Sequence, residues 1–222
     1  MTENLQETYV LRRGIVRRKN TFLLELAFFT FLVIAGIDGY FHWNIHTGLK
    51  AFNQERYPDC IRHLNRAGFF APLDRGLYYK IALAHSRLGH AQEVVDLCNR
   101  ILAMPKPELP FQFSSGIPSP SLNELYLGLA MAYLSLQQYN EAIIYSQLMI
   151  AQDRNDAWGY KILATAQMQK SVMHNDQKGM KAAMDFYEKA RELNSQILTP
   201  EDQRAYAELK AKLGTRHSLF EK

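Results

Sequence analysis

The sequence has little of what catalysis or cofactor chemistry requires. Only two of its 222 residues are cysteine, Cys60 and Cys98, and they form no CxxC pair. That excludes a thiol-based metal framework and a vicinal redox couple. There is no glycine-rich phosphate loop and no Gly-x-Ser-x-Gly nucleophile elbow. Seven histidines are scattered along the chain. His42 and His46, spaced i, i+4, share a helix face, but no cysteine or zinc-protease glutamate stands nearby. Beside an aromatic cluster they read as an interfacial pair. Glu201 and Asp202 sit where a helix starts and complement its dipole. The expectation is a protein that is not an enzyme, with no catalytic residue, metal or cofactor.

Strong charge of one sign is also missing. Lys and Arg total 26 against 22 Asp and Glu, a net charge of +4. From Phe41 onward 21 basic residues face 18 acidic ones. No basic run interleaves with aromatics, so nucleic acid is not an expected partner.

What is present begins with an apolar run. Residues 22–41 read FLLELAFFTFLVIAGIDGYF, near the length that crosses a bilayer. Glu25 and Asp38 lie near its ends, and Tyr40, Phe41 and Trp43 form an aromatic cluster at one boundary. No small-residue cleavage site follows, against a cleaved signal peptide, and Glu3 and Glu7 count against a mitochondrial presequence. The run is more apolar than any other helical segment, against a buried core helix. We read residues 1–20 as a basic tail and 21–41 as a transmembrane signal anchor. The tail holds five basic residues and two acids, whereas Trp43 to Arg62 holds three and two. The positive-inside tendency then puts the N-terminus in the cytoplasm and the rest outside it, as at a bacterial inner membrane with a periplasmic domain. No proline or glycine-rich linker follows the anchor, so the next domain is expected against the membrane surface.

The strongest pattern is Asn123 to Asp156, 34 residues long. With Asn123 as position 1, Tyr126, Leu129, Ala130, Ala132 and Tyr133 fall at 4, 7, 8, 10 and 11, and Tyr139 and Ala142 at 17 and 20. This resembles a tetratricopeptide repeat, in which small residues let two antiparallel helices approach closely. Ser146, Met149 and Arg154 depart from the pattern at 24, 27 and 32. One repeat cannot bury its own face. Similar units are read at about 41–74, with Gly48 and Cys60 at 8 and 20, and at about 75–108, with Ala82 and Val94 there. A fourth spans about 157–197, with Ala164 at 8, a long loop through SVMHNDQKGMK, and Ala183 at 20. Leu109 to Leu122 is a surface excursion rich in Pro, Gly and Ser. Thr199 as cap and Pro200 at the first turn start a last helix, expected to cap the stack and to stop at Gly214. The expected fold is all-α: a transmembrane helix, a solenoid of about four helix pairs over 42–198, and a capping segment over 199–222.

The resemblance implies a binding scaffold whose groove is lined by positions 2, 5, 9, 12 and 13 of each first helix. Those positions give Tyr79 and Leu83, then Leu127, Met131 and Leu134, then Lys161, Thr165, Met168 and Gln169, with Ile45, Leu49 and Phe52 toward the membrane. The line is mostly apolar. It lacks the Lys/Asn/Arg clamp of repeats that hold a terminal carboxylate, and it suits a partner helix or apolar extended segment. The groove is alternatively filled by the chain itself, through Pro110 to Pro118 or the C-terminal helix. Cys60 and Cys98 occupy inward positions as small core residues, and a disulfide between them is conceivable in an oxidising compartment. The expected function is a membrane-anchored scaffold that holds protein partners while a membrane complex assembles. The alternatives are a constitutive subunit of a large secretion, motor, respiratory or photosynthetic machine, and an organelle receptor with cytosolic repeats.

Overall fold

The computed structural model describes residues 3–105 and 114–220, with side chains at 22, 24–105 and 114–212. Lys106 to Phe113, which hold the end of the second repeat, the start of the expected surface excursion and part of the Pro110–Pro118 segment expected as a groove filler, lie outside the described residues. The described chain is helical throughout: α1 (Glu3–Asn53), α2 (Tyr57–Gly68), α3 (Arg75–Arg87), α4 (Ala91–Ala103), α5 (Leu122–Ser135), α6 (Tyr139–Gln152), α7 (Ala157–His174), α8 (Gln177–Leu193) and α9 (Pro200–Phe220). Each helix packs on its neighbours in the chain, with an added α5–α7 contact. This is the quasi-one-dimensional order of a solenoid. Among the described residues it comprises four helix pairs and a C-terminal helix.

The helix ends explain the repeat. Glu55, Gly89, Gln137 and Asn175 all have left-handed backbone, with φ between 52° and 75°. Each follows the first helix of its pair. At the second, Gly89 N–H donates to Ser86 O at 3.1 Å and His90 N–H to His85 O at 3.0 Å. The same two bonds recur at Glu55–Arg56, Gln137–Gln138 and Asn175–Asp176. These are Schellman turns, which satisfy the last carbonyls and reverse the chain. In the first three pairs the left-handed residue stands at position 15. In the fourth it comes four residues later.

The expected long loop in the fourth pair is therefore helix. SVMH extends α7 and QKGMK opens α8, leaving only Asn175 and Asp176 between them. The hairpin is one turn taller on each side. Gly179 makes this possible, because a Cβ there would collide with Ser171 Oγ. Nor does α9 stop at Gly214; it continues to Phe220.

Small residues mark the crossings. Ala82, Ala130 and Ala164, at position 8, are all buried, as are Cys60, Val94, Ala142 and Ala183 at the second-helix crossings. Position 8 of the first pair is Gly48, buried against Leu64 of α2.

Two aspartates tie one repeat to the next. Asp74 Oδ1 caps α3 by accepting Leu77 N–H at 2.9 Å, and Asp156 Oδ1 caps α7 by accepting Trp158 and Gly159 N–H at 3.0 Å. The second oxygen of each holds another element. Asp74 Oδ2 accepts Ser115 N–H at 2.6 Å, and Asp156 Oδ2 accepts Asn123 Nδ2 at 2.9 Å. Ser121 and Glu124 form a capping box at α5, and Thr199 and Asp202 bond reciprocally at the start of α9.

No helix end falls at residue 20 or 41. The apolar run and the first helix of the solenoid are one helix, α1. Its Leu24–Asn53 stretch is long and apolar enough to cross a membrane by length and composition. Phe41, Asn44, Ile45, Gly48 and Ala51 are buried against the first pair, whereas the turns before them are bare. Asn44 carries no solvent exposure, yet it is satisfied. Its Nδ2 donates to Tyr40 O at 2.9 Å, and its Oδ1 accepts from His63 Nδ1 of α2 at 3.0 Å. That contact requires the proton on His63 Nδ1. Burial, followed by the charges of Arg66 and Arg62, pushes the His63 pKa down and favours the neutral ring.

Candidate protein-binding groove

The first helices of the pairs carry the residues expected in the groove; Gln169 is exposed, and the structure sorts the others into three sets. Met131 is 47% exposed. It lines a cleft of about 140 Å³ with Ser86, Gly89, Val94, Gly128 and Ser135, between the second and third pairs. Tyr79, Leu83, Leu127 and Leu134 are half-buried, as are Leu49 and Phe52. Burial, then the nearby Glu124 carboxylate, pushes the Tyr79 phenol up to about 12. Tyr79 is therefore neutral and a hydrogen-bond donor at any ordinary pH. Lys80 Nζ lies 4.4 Å from the Phe52 ring centre and covers that face.

The second set is withdrawn. Met168 lies in a buried cluster with Tyr187 and Leu209, and Ile45 is in the core of the first two pairs. Neither side chain is offered to a ligand, which corrects the expectation for Met168.

The third set is engaged by the chain itself. Lys161 Nζ pairs with Asp202 of α9 at 2.8 Å, donates to Ile197 O at 3.2 Å and lies 4.9 Å from the Trp158 ring centre. Thr165 Oγ1 lies 3.0 Å from Tyr187 Oη. The C-terminal helix thus closes the fourth-pair end. At the second pair, the carbonyls of Ile117 and Pro118 lie over Gly76, where a Cβ would clash. The open part of the groove is its middle.

Some residues were not foreseen. Phe69 is 82% exposed beyond α2 and stacks edge-on with Phe70 at 5.2 Å between ring centres. Phe70 in turn meets Tyr40 edge-on at 6.1 Å. The loop after α2 therefore joins the aromatic cluster at the end of the apolar run. The FF dipeptide was a signal, but only the fold places it beside Tyr40. Trp158, 45% exposed, stands at position 2 of the fourth pair. His85, His90 and Glu93 also come together at the turn of the second pair. Burial lowers the His85 pKa, against the opposing charge of Glu93.

His42 pairs with Asp38 at 3.5 Å rather than with His46. Cys60 and Cys98 are free and buried, and burial pushes each thiol up to about 11. The conceivable disulfide is not formed.

Neither a family model nor a curated protein sequence matches this chain. Solved structures do. A crystal structure of MamA covers 69% of this chain and 77% of its own, at 16% identity and a TM-score of 0.54. MamA 41-end from Desulfovibrio magneticus RS-1 covers 79% and 94%, at 15% identity and 0.53. TTC0263, a thermophilic TPR protein in Thermus thermophilus, covers 78% and 83%, at 17% identity and 0.51. At such identities the likeness speaks for the fold. Together with the four Schellman-turned helix pairs, it establishes that this chain has the tetratricopeptide-repeat fold.

Proposed function

We propose that the protein is a membrane-anchored adaptor whose repeats hold an apolar segment of a partner protein close to the bilayer. The observation that carries this reading is the division of α1. Phe22, Leu24, Leu26, Phe28, Phe29, Phe31, Leu32, Val33 and Ile34 are all at least 45% exposed. They surround the helix, and no protein surface covers them. Exposing that much apolar area to water is unfavourable by about 25 cal/mol per Å², and a bilayer removes it. The same helix then enters the first repeat without a break. The solenoid is thereby held rigidly at the membrane surface, and Phe69, Tyr40 and Trp43 suit the interfacial layer.

The N-terminus is cytoplasmic and the repeats extracytoplasmic in this reading, from the basic residues of the tail. The bacterial inner membrane and periplasm fit that arrangement. The partner-binding surface is the open middle of the groove: Tyr79, Leu83, Leu127, Met131 and Leu134. It is apolar, and a helix or extended apolar strand of a membrane-associated protein matches its chemistry. The role is non-catalytic. A second reading, a permanent subunit of a larger membrane assembly, draws on Ile144 and Leu148. They are exposed one turn apart on α6, the second helix of the third pair.

Two measurements test the proposal. Alkaline carbonate extraction of membranes is expected to leave the chain in the pellet; release into the supernatant removes the anchor. A photo-crosslinking residue at Met131 is expected to capture a discrete partner that the same residue at exposed Met173 does not. Met131→Glu changes an exposed position, so stability should move by about 0.5 kcal/mol or less. It should abolish the crosslink made from Leu127. A folded Met131→Glu protein that keeps that crosslink defeats the groove assignment.

A further inference from the structure

We propose that His85, His90 and Glu93 form a binding site for one divalent transition-metal ion of the zinc type, at the turn between α3 and α4. The site is built by the backbone. His85 is in the last turn of α3, and Gly89 has φ 75°, which glycine adopts without strain. The Schellman bond from His90 N–H to His85 O, 3.0 Å long, folds His90 back beside the His85 ring. The two ring centres lie 5.5 Å apart, and the two Nδ1 atoms 3.2 Å apart. Glu93 follows one turn into α4. The three ligand atoms all lie within 4.8 Å of one another.

That spacing suits an ion. With Zn–N bonds of about 2.0–2.1 Å, two nitrogens of one coordination sphere stand roughly 2.9–3.4 Å apart, for octahedral through tetrahedral angles. The observed 3.2 Å falls inside this range. Glu93 is exposed, so a change of rotamer brings its carboxylate to bonding distance. Two imidazoles and one carboxylate select zinc, copper or nickel over magnesium or calcium. His90 and Glu93 face solvent, which leaves an entry path and an open position for water.

The fold favours an acid at the Glu93 position, in the first turn of α4, but it does not call for the two histidines. The same three positions hold Ala51, Arg56 and Asp59 in the first pair, and Tyr133, Gln138 and Glu141 in the third. In the fourth they hold Ser171, Asp176 and Gly179. All four turns make the same backbone bonds; what the two histidines add is one side-chain hydrogen bond between their Nδ1 atoms, 3.2 Å long, which holds both nitrogens at the spacing an ion would take. Nor does His90 cap α4 with its side chain. An ion would lock the turn beside the cleft that Ser86, Gly89 and Met131 line.

The test is a calorimetric titration of the full-length chain in detergent, stripped with a chelator, using zinc chloride and then magnesium chloride. One equivalent of zinc is expected to bind with a low-micromolar or tighter Kd, and magnesium not at all. His90→Ala and Glu93→Gln are each expected to weaken zinc by about tenfold or more, while the metal-free proteins keep the helicity of the parent by circular dichroism. Cobalt should give a visible absorption spectrum that His90→Ala abolishes. No stoichiometric zinc binding overturns the proposal. So does wild-type affinity in His90→Ala, which would assign the ion to another site such as Asp38 and His42. If His85→Ala fails to fold, His90→Ala still decides, because that side chain is exposed and caps nothing.

Discussion

Replacing Gly48 with alanine tests the join between the apolar helix and the solenoid. A Cβ at position 48 would stand 2.6 Å from Leu64 Cδ2 and 2.8 Å from Leu64 Cγ. Ordinary carbon contacts are about 3.5–4.0 Å, so Leu64 must retreat by about 1 Å. It has nowhere to go, since it is completely buried. Overpacking of this kind destabilises by about 1–3 kcal/mol. Alanine in a helix interior returns about 1 kcal/mol relative to glycine. The net expectation is a loss of about 1 kcal/mol, a fall in Tm of roughly 2–4 °C. A double-mutant cycle isolates the contact. Leu64→Ala alone should cost about 2–5 kcal/mol through its cavity. In the double variant the new methyl occupies part of that cavity, so the two changes should cost less together than their sum, by about 1 kcal/mol. The assay is urea or thermal unfolding of the detergent-solubilised chain, followed by circular dichroism. A Gly48→Ala protein that is more stable than the parent, with no coupling to Leu64, refutes the close crossing of α1 and α2.

Three further outcomes are expected. Burial opposes the charge on Asp202, but the Lys161 and Thr199 hydrogen bonds outweigh it and hold its carboxyl below the usual 3.8. A depressed folded value contributes stability above pH 3.8 that is lost as pH falls through the folded value. Urea midpoints between about pH 6 and pH 3 should therefore fall less steeply in Asp202→Asn than in the parent, and an unchanged slope refutes the pair. Cys60 and Cys98, buried with thiols near 11, should resist Ellman's reagent at pH 8 until denaturant unfolds the repeats; prompt labelling of the folded chain contradicts their placement. Gly76→Ala should push Ile117 and Pro118 off α3, which limited proteolysis in residues 114–120 would register as faster cleavage, at a cost of about 1–3 kcal/mol.

Wherever a short stretch of sequence contains its own physical reason, the structure was legible in advance. Thr199 and Pro200 start a helix because a hydroxyl cap and a fixed φ act within one turn. Asn123 to Asp156 reads as a helix pair because its small and large residues alternate at the crossing period. The apolar run is legible from length and composition. SVMHNDQKGMK misled for the opposite reason. Polar residues with glycine resemble a loop, yet Lys, Gln and Met favour helix, and Gly179 lets the extra turns pack against Ser171. Gly214 misled as a stop because glycine ends a helix only where the chain adopts the left-handed turn.

The groove shows the limit most clearly. Sequence by itself determined that the chain is all-helical, that its pairs repeat, and that one helix is apolar on every side. Those properties follow from local periodicity, which any segment carries alone. Which groove residues stay open was a tertiary decision. Met168 and Met131 are the same residue type on corresponding helix faces. Met168 is buried in the cluster that includes Leu209 of α9, whereas Met131 borders an open cleft. The pairing of His85 with His90 across a glycine turn, and of Phe70 with Tyr40 across two helices, was settled in the same way. Burial and proximity depend on what packs against a residue, and that is a property of the folded chain.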